Sequence, residues 1–260
     1  MIFEIEKFSK GYTPNKKFVI RIFNRKFLVK IINRKYYLYD QTLKKALLKK
    51  CEQSGLPVQK TLLINSINGN RVFSCYEWIQ GTMLNDFLPQ ISKTEQYKIG
   101  VEMGRLLKKL HSVPISEYIS GTSMATCDNS ISIVHGDFHI SNILKTDDFI
   151  RIIDWDNIHL GNPFEDFNRI LINAEVSPEY ACGQIDGYFD GKPNLEFWDF
   201  LKQNLQKDFI DIPSFCLDLL PNGKSITEHN KKLFNQQYSD GTVSIPKFYK
   251  EKKYENRFDQ

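Results

Sequence analysis

Through the first eighty residues, apolar and polar side chains alternate in short runs. Phe3-Glu4-Ile5-Glu6-Lys7, Lys17-Phe18-Val19-Ile20-Arg21 and Lys26-Phe27-Leu28-Val29-Lys30-Ile31 are rich in Phe, Ile and Val, the composition and spacing of pleated strands. Strands are therefore predicted at 1–10, Phe18–Phe23 and Lys26–Ile32, with turn signals at Lys10-Gly11 and Asn24-Arg25. The period then changes. From Tyr36 to Ser54, Leu43, Leu47, Leu48 and Cys51 recur at three and four, opposite Lys44, Lys45, Lys49 and Lys50. That is an amphipathic helix with a solvated lysine face, stopped by Gly55 and Pro57. Two further strands, Gln59–Ile64 and Arg71–Trp78, flank Asn68-Gly69, a favoured hairpin pair.

Past residue 79 the helical period dominates. Ser92-Lys93-Thr94-Glu95 is a capping box, and it opens a helix with Ile99, Met103, Leu106, Leu107 and Leu110 on one face, ending around His111–Pro114. Ser116–Ser130 reads as a loop, Glu165–Glu175 as a helix, and Ser177–Pro193 as turn-rich because of Asp186-Gly187 and Asp190-Gly191. Helices follow at Leu195–Phe209 and Ser225–Gln237, the second opened by Ser225-Ile226-Thr227-Glu228, and the charged last ten residues are expected to be loose. The pattern predicts an α+β chain: an antiparallel five-stranded sheet with one helix, then a mainly helical region. Two lobes, 1–79 and 80–260, would meet at a hinge near residue 79.

Composition narrows the class. A chain of 260 residues, 41% hydrophobic and 25% charged, suits an ordinary globular protein. No apolar run approaches the ~18 residues of a membrane span, and the N-terminus lacks the order of a signal peptide, so a cytoplasmic protein without membrane association is expected. The five scattered cysteines form no C-x-x-C pair, which argues against a disulfide framework or zinc site. Net charge is +4, but bases predominate through residue 127 and acids from 128 to 200. That asymmetry suits an anionic ligand with its metal between two lobes. A nucleic-acid partner is disfavoured, because no recognition motif accompanies the lysines.

Chemistry concentrates between Ile133 and Asp156. Two short apolar runs bracket a loop carrying His135, Asp137, His139 and Asn142, and the second run ends in Asp154-Trp155-Asp156. A carboxylate and a carboxamide on one loop, with another carboxylate past the next strand, can hold a divalent metal and orient a hydroxyl. Phosphoryl transfer from a nucleotide needs that equipment. His135 and His139 read as structural loop histidines, Asp156 as a metal assistant or a turn cap, and Asp166 as a cap or a brace for the loop. Ser9-Lys10-Gly11-Tyr12-Thr13 could cover a phosphate with backbone N–H groups and hydroxyls, although a plain turn fits as well. Lys30, between Val29 and Ile31, faces either solvent or a buried anion.

His135-Gly136-Asp137-Phe138-His139-Ile140-Ser141-Asn142 followed by Ile153-Asp154-Trp155-Asp156 resembles the aminoglycoside phosphotransferase family. That family includes choline and fructosamine kinases and shares the protein-kinase-like fold. The likeness extends to Lys30, the Gly55–Val58 turn, the Leu110-His111-Ser112 helix end and Gly161–Asp166. It implies that Asp137 is catalytic, orienting the acceptor hydroxyl, and that Asn142 and Asp154 hold Mg2+. It implies that Lys30 contacts the α/β-phosphates of ATP, or of GTP, with Ser9, Gly11 and Thr13 over the nucleotide. Backbone at Glu77, Trp78 and Ile79 would meet the adenine. The acceptor would be a small molecule with a hydroxyl, with an aminoglycoside or other cationic metabolite favoured by the acidic middle of the chain. In one respect the chain departs from the family, which pairs the strand lysine with a glutamate on the first helix. Counted back from Gly55, those positions hold Lys44 and Ala46, leaving Asp40 or Glu52 as substitutes. The interval from His111 to His135 is also short. Both departures bear on activity and substrate class, and the missing glutamate motivates an alternative, a nucleotide-binding pseudoenzyme or regulatory module.

Overall fold

The computed structural model describes residues 3–8, 16–33, 40–67, 70–119, 131–147, 149–210, 223–239 and 243–255. The alternating N-terminal runs form strands β1 (Phe3–Lys7), β2 (Lys16–Ile22), β3 (Arg25–Asn33), β4 (Thr61–Ile67) and β5 (Arg71–Glu77). They make one antiparallel sheet in the order β1-β2-β3-β5-β4. Ile22 pairs with Arg25, so the β2–β3 turn is Phe23-Asn24, one residue before the predicted Asn24-Arg25. Phe23 takes φ 52°, as a two-residue hairpin demands of a central position. The predicted turn residues Asn68-Gly69 lie outside the described residues.

Helix α1 (Gln41–Gln53) starts later than Tyr36, because extended Asp40 caps it and accepts from the Thr42 N–H. Leu47, Leu48 and Cys51 are buried as the periodicity requires. One expectation fails here: Lys44 is completely buried rather than solvated, because the Asp156 carboxylate comes to it from a distant part of the chain.

The rest of the chain is largely helical. Short strands β6 (Thr82–Met83), β7 (Ser132–Val134), β8 (Ile143–Lys145), β9 (Ile150–Ile152) and β10 (His159–Gly161) pair as β6-β8-β9 and β7-β10. Helices α2 (Leu84–Phe87), α3 (Lys93–His111) and α4 (Ser116–Ile119) lie between β6 and β7, and α5 (Ile170–Val176) and α6 (Pro178–Phe189) follow β10. Ser92 and Glu95 form the predicted capping box of α3. Part of the predicted loop after Ser116 is helical, as α4. The predicted Glu165–Glu175 helix divides into a 3-10 turn at Pro163–Phe167 and then α5.

The segment read as turn-rich is instead a well-buried helix, α6, with Ser177 as N-cap and Pro178 in its first turn. Its glycines serve packing. A Cβ on Gly183 or Gly187 would overlap the carbonyls of Tyr97 or Val101, and one on Gly100 or Gly104 those of Tyr180 or Gln184. Helices α3 and α6 thus meet backbone to backbone. Only Asp190 (φ 52°) and Gly191 (φ 76°) make the left-handed stop. Gly104→Ala is expected to destabilise the fold by about 1–3 kcal/mol or more through this overlap. The check is a lower urea midpoint at unchanged m.

Three helices complete the described chain: α7 (Leu195–Asn204), α8 (Gly223–Tyr238) and α9 (Lys247–Glu255). After α7 the chain continues as a π-helical turn, Leu205–Ile210, rather than α-helix to Phe209. Helix α8 runs from Gly223, so Ser225 is inside it and not its cap. Half of the tail expected to be loose belongs to α9. That helix buries Phe248 and Tyr249, and Tyr249 Oη donates to Asp186 at 2.6 Å. One hydrophobic core joins α1, β4, β5, α3 and the helices beyond. Among the described residues, no helix is long and apolar enough to cross a membrane.

Candidate active site

Asp137 stands on a loop whose shape is fixed by a buried carboxylate. Asp166 accepts from the His135 N–H at 2.9 Å and the Gly136 N–H at 2.7 Å. It also meets His111 Nε2 at 3.1 Å, while His111 Nδ1 meets Tyr188 Oη at 2.9 Å. Asp166 is thus the brace of the loop, and His111 and Tyr188 are supports that sequence alone did not single out. Gly136 turns the chain at φ 80° with its α-carbon against Asn157, where a side chain would collide.

The buried His135 ring locks the loop to the next strand. Its Nε2 lies 3.1 Å from the Ile153 carbonyl, so that nitrogen donates, and its Nδ1 accepts from the Asp137 N–H at 3.2 Å. Trp155 packs on the ring at 4.5 Å between centroids. Burial pushes the imidazole below its ordinary value, although Asp166 and Asp137 oppose this. The folded ring therefore stays neutral where an unfolded one, with pKa about 6.5, takes up a proton. Stability should fall as pH drops below that value, by at most about 1.4 kcal/mol per unit from this group. Urea midpoints at pH 7 and 5.5 should drop more for the wild type than for His135→Gln.

The Asp137 side chain is surrounded by donors. Arg169 Nε lies 3.3 Å from Oδ1, Asn142 Nδ2 3.2 Å from Oδ2, and His139 Nε2 3.6 Å from Oδ2. Burial opposes its charge, but the contact with His139 and the charge of Arg169 outweigh that and hold the carboxyl well below the usual range. Asn142 also donates to the Asp137 carbonyl at 2.9 Å, and its own carbonyl accepts from Ile153 N–H at 2.9 Å. Asn142 is thereby tied to the segment that leads from β9 to Asp154. A cavity of about 190 Å³ opens beside Asp137, lined by Phe138, His159, Glu165, Asn168 and Arg169.

Across from this loop, β3 delivers Lys30. Its Nζ is buried 2.7 Å from Asp154 Oδ1 and 2.9 Å from Asp156 Oδ2. The solvent-facing alternative is thus excluded. Asp154 takes the left-handed conformation, φ 61° and ψ 53°, which aspartate tolerates better than most residues. Asp156 is no turn cap: besides Lys30 it holds Lys44 Nζ at 2.8 Å and Tyr76 Oη at 2.8 Å. Burial alone would lower both ammonium groups. Asp154 and Asp156 hold Lys30 above its ordinary value, and Asp156 does so for Lys44. Burial likewise opposes the Asp156 charge, yet the two lysines hold its carboxyl well below the usual range.

The sheet side and the loop side are stitched together by backbone. Gln59 N–H donates to the Ile152 carbonyl at 3.0 Å and Ile152 N–H to the Pro57 carbonyl at 2.8 Å. Glu77, Trp78 and Ile79 line a separate cavity of about 500 Å³ with Gly81, Lys145, Phe149 and Arg151. Within it, Glu77 N–H donates to Lys60 and Trp78 N–H to Lys26, while the Glu77 carbonyl accepts from Gln59. Ser9, Gly11 and Thr13 lie outside the described residues. Among the described cysteines, Cys51, Cys75 and Cys182 are in no disulfide bond.

A strand lysine paired to a loop aspartate, beside a His-Gly-Asp loop with its own asparagine, defines a protein-kinase-like phosphotransferase. The model of the phosphotransferase enzyme family matches residues 4–123 and 122–201, and the chain belongs to that family. Among solved structures, a spectinomycin phosphotransferase in complex with ADP and spectinomycin is 16% identical, with TM-score 0.61. The match covers 90% of this chain and 89% of that one. A choline/ethanolamine kinase family protein from Mesorhizobium loti is 12% identical, covers 92% and 90%, and has TM-score 0.60. The GDP complex of an aminoglycoside 2'-phosphotransferase is 12% identical, covers 88% and 92%, and has TM-score 0.54. Curated protein sequences gave no significant match. The two-lobed protein-kinase-like fold is the one the sequence predicted.

Proposed function

We propose that this protein transfers the γ-phosphoryl group of ATP, or GTP, to a hydroxyl of a small molecule in a magnesium-dependent reaction. The observation that carries the proposal is the meeting of Lys30 Nζ with Asp154 at 2.7 Å, beside the loop of Asp137 and Asn142. Residues far apart in sequence converge with the charges that a nucleotide phosphate, its metal and a hydroxyl require.

In this reading Lys30 contacts the α/β-phosphates. With the N–H groups of Glu77 and Trp78 engaged elsewhere, Ile79 supplies the N–H that meets the base. Asn142 and Asp154 offer an amide and a carboxylate oxygen, hard donors that fit magnesium, and their segments are joined through the Ile153 N–H. When bound, the metal neutralises charge on the transferring phosphoryl group. Asp137 accepts a hydrogen bond from the acceptor hydroxyl and aims its oxygen at the phosphorus. So acidic a carboxyl is a weak base in the resting site, so its main contribution is orientation. Ser9, Gly11 and Thr13 remain candidates for covering the phosphates.

The cavity beside Asp137 would take the acceptor. The carboxylates of Asp137 and Glu165 support an amino sugar or other cationic metabolite as the first acceptor class to test, with Arg169 limiting how much positive charge fits close to Asp137. We place the boundary between the nucleotide-binding and acceptor-binding parts near residue 79. The second reading, a nucleotide-binding pseudoenzyme, rests on the lysine at position 44 where the family resemblance leads one to expect an acid. The experiment is acceptor-dependent formation of ADP from MgATP, or of GDP from MgGTP, across aminoglycosides, choline, sugars and amino alcohols. Turnover with one of these supports phosphotransfer. Nucleotide binding with none of them turned over favours the pseudoenzyme.

A further inference from the structure

Helix α1 brings a second ammonium into the centre of the site, and its partner comes from beyond β9. Lys44 Nζ is completely buried, 2.8 Å from Asp156 Oδ1. Tyr76 Oη donates to that same oxygen at 2.8 Å, while Lys30 Nζ takes the other, Oδ2, at 2.9 Å. One carboxylate thus joins the strand lysine to the helix lysine. Lys30 has a second partner in Asp154. Two buried cations and two carboxylates balance around Lys30, with Lys17, its cross-strand partner on β2, a third ammonium within electrostatic reach.

The balance changes when the site is used. If Asp154 is committed to a metal, as the phosphotransferase reading requires, Lys30 and Asp156 alone would cancel. The surplus positive charge needed for a nucleotide phosphate then comes from Lys44, the buried partner of Asp156, with a further contribution from Lys17. A buried charge of this kind needs a reason, since an ammonium out of water is costly unless paired. A hydrophobic residue would have filled the same space on the apolar side of α1.

We propose that Lys44 is a positioning residue for nucleotide binding: it neutralises Asp156, so that Asp156 anchors Lys30 without cancelling the charge that Lys30 offers to the phosphates. The helix acid expected from the family resemblance is replaced here by an acid after β9 and a base on the helix. The departure that motivated the pseudoenzyme alternative is therefore a rearranged ion-pair set, with Lys30 still held in place.

The inference rests on the nucleotide reading, and binding measurements separate the two. Calorimetric titration with ADP and with adenosine, magnesium present, is made on wild type, Lys44→Met, Asp156→Asn and the double variant. Methionine keeps the length of the lysine stem, and Asp156 retains Lys30 and Tyr76. Lys44→Met should weaken ADP by about tenfold or more, the 1.4 kcal/mol of one weakened charge contact, and leave adenosine binding unchanged. Adding Asp156→Asn should recover most of the lost ADP affinity, because the charge that Lys44 balanced is gone. If Lys44→Met does not fold, the double variant against Asp156→Asn alone reads the same coupling. Equal ADP binding by wild type and Lys44→Met, or equal losses for ADP and adenosine, would overturn the inference while leaving the nucleotide site standing. Failure of the wild-type protein to bind either ligand would overturn both.

Discussion

Asp137→Asn should lower kcat by about 10²-fold or more, the cost of losing the group that orients the acceptor hydroxyl, with nucleotide affinity near wild type. The substitution keeps the shape of the side chain but removes the charge that Arg169 and His139 surround. The new amide nitrogen would also face the donors of Arg169 and Asn142, so the hydroxyl would lose its orientation as well as its acceptor. A purely structural role would instead lower thermal stability and nucleotide affinity together. Measuring kcat, KM for the acceptor and ADP affinity on one preparation separates these results.

The second large effect belongs to Asp154. Asp154→Asn is expected to abolish MgATP-dependent stabilisation and to reduce turnover by about 10³-fold or more, through loss of the carboxylate that would hold the metal whose charge offsets the phosphates. A ligand at 100 times its Kd stabilises a protein by about 2.7 kcal/mol, so the missing shift is easily seen by melting. Asparagine is the informative replacement because it tolerates the left-handed backbone at φ 61°. Alanine there adds a backbone cost of about 1–2 kcal/mol that would lower stability without any ligand. A normal MgATP shift in Asp154→Asn would remove this residue from the metal site.

What could be read in the sequence was local. The alternating runs of β2 and β3 declare a sheet through a period of two, and the His135–Asn142 spacing sets out its loop within a few residues. Lys44 was misread: it stands three, four and seven residues before Leu47, Leu48 and Cys51, so the period itself puts it on the buried stripe, but its charge suggested solvent and its carboxylate is 112 residues away. The α6 glycines misled for a related reason. Asp186-Gly187 has the composition of a turn, and only the approach of α3 shows that Gly187 is there to let two backbones touch. Asp166 was half legible: its place before a helix suggested a brace, but its bonds to His135, Gly136 and His111 depend on tertiary contact.

These misses share a cause. Burial of a charge, or of a glycine against a neighbouring helix, is decided by partners distant in the chain, and such partners leave no periodic trace. The residues that define the chemistry were legible because loop and strand place Asp137, Asn142 and Asp154 within one short stretch. The charge arrangement that distinguishes this chain, Lys30–Asp156–Lys44, spans three segments.

The most direct test of the account follows the phosphoryl group itself. The protein is incubated with ATP labelled at the γ-phosphate, magnesium and each acceptor of the panel, with Asp137→Asn run in parallel. The account predicts label transferred to the hydroxyl of at least one small molecule, dependent on magnesium and lost in the variant. Tight MgATP binding with no transfer to any acceptor, or equal transfer by Asp137→Asn, would contradict it.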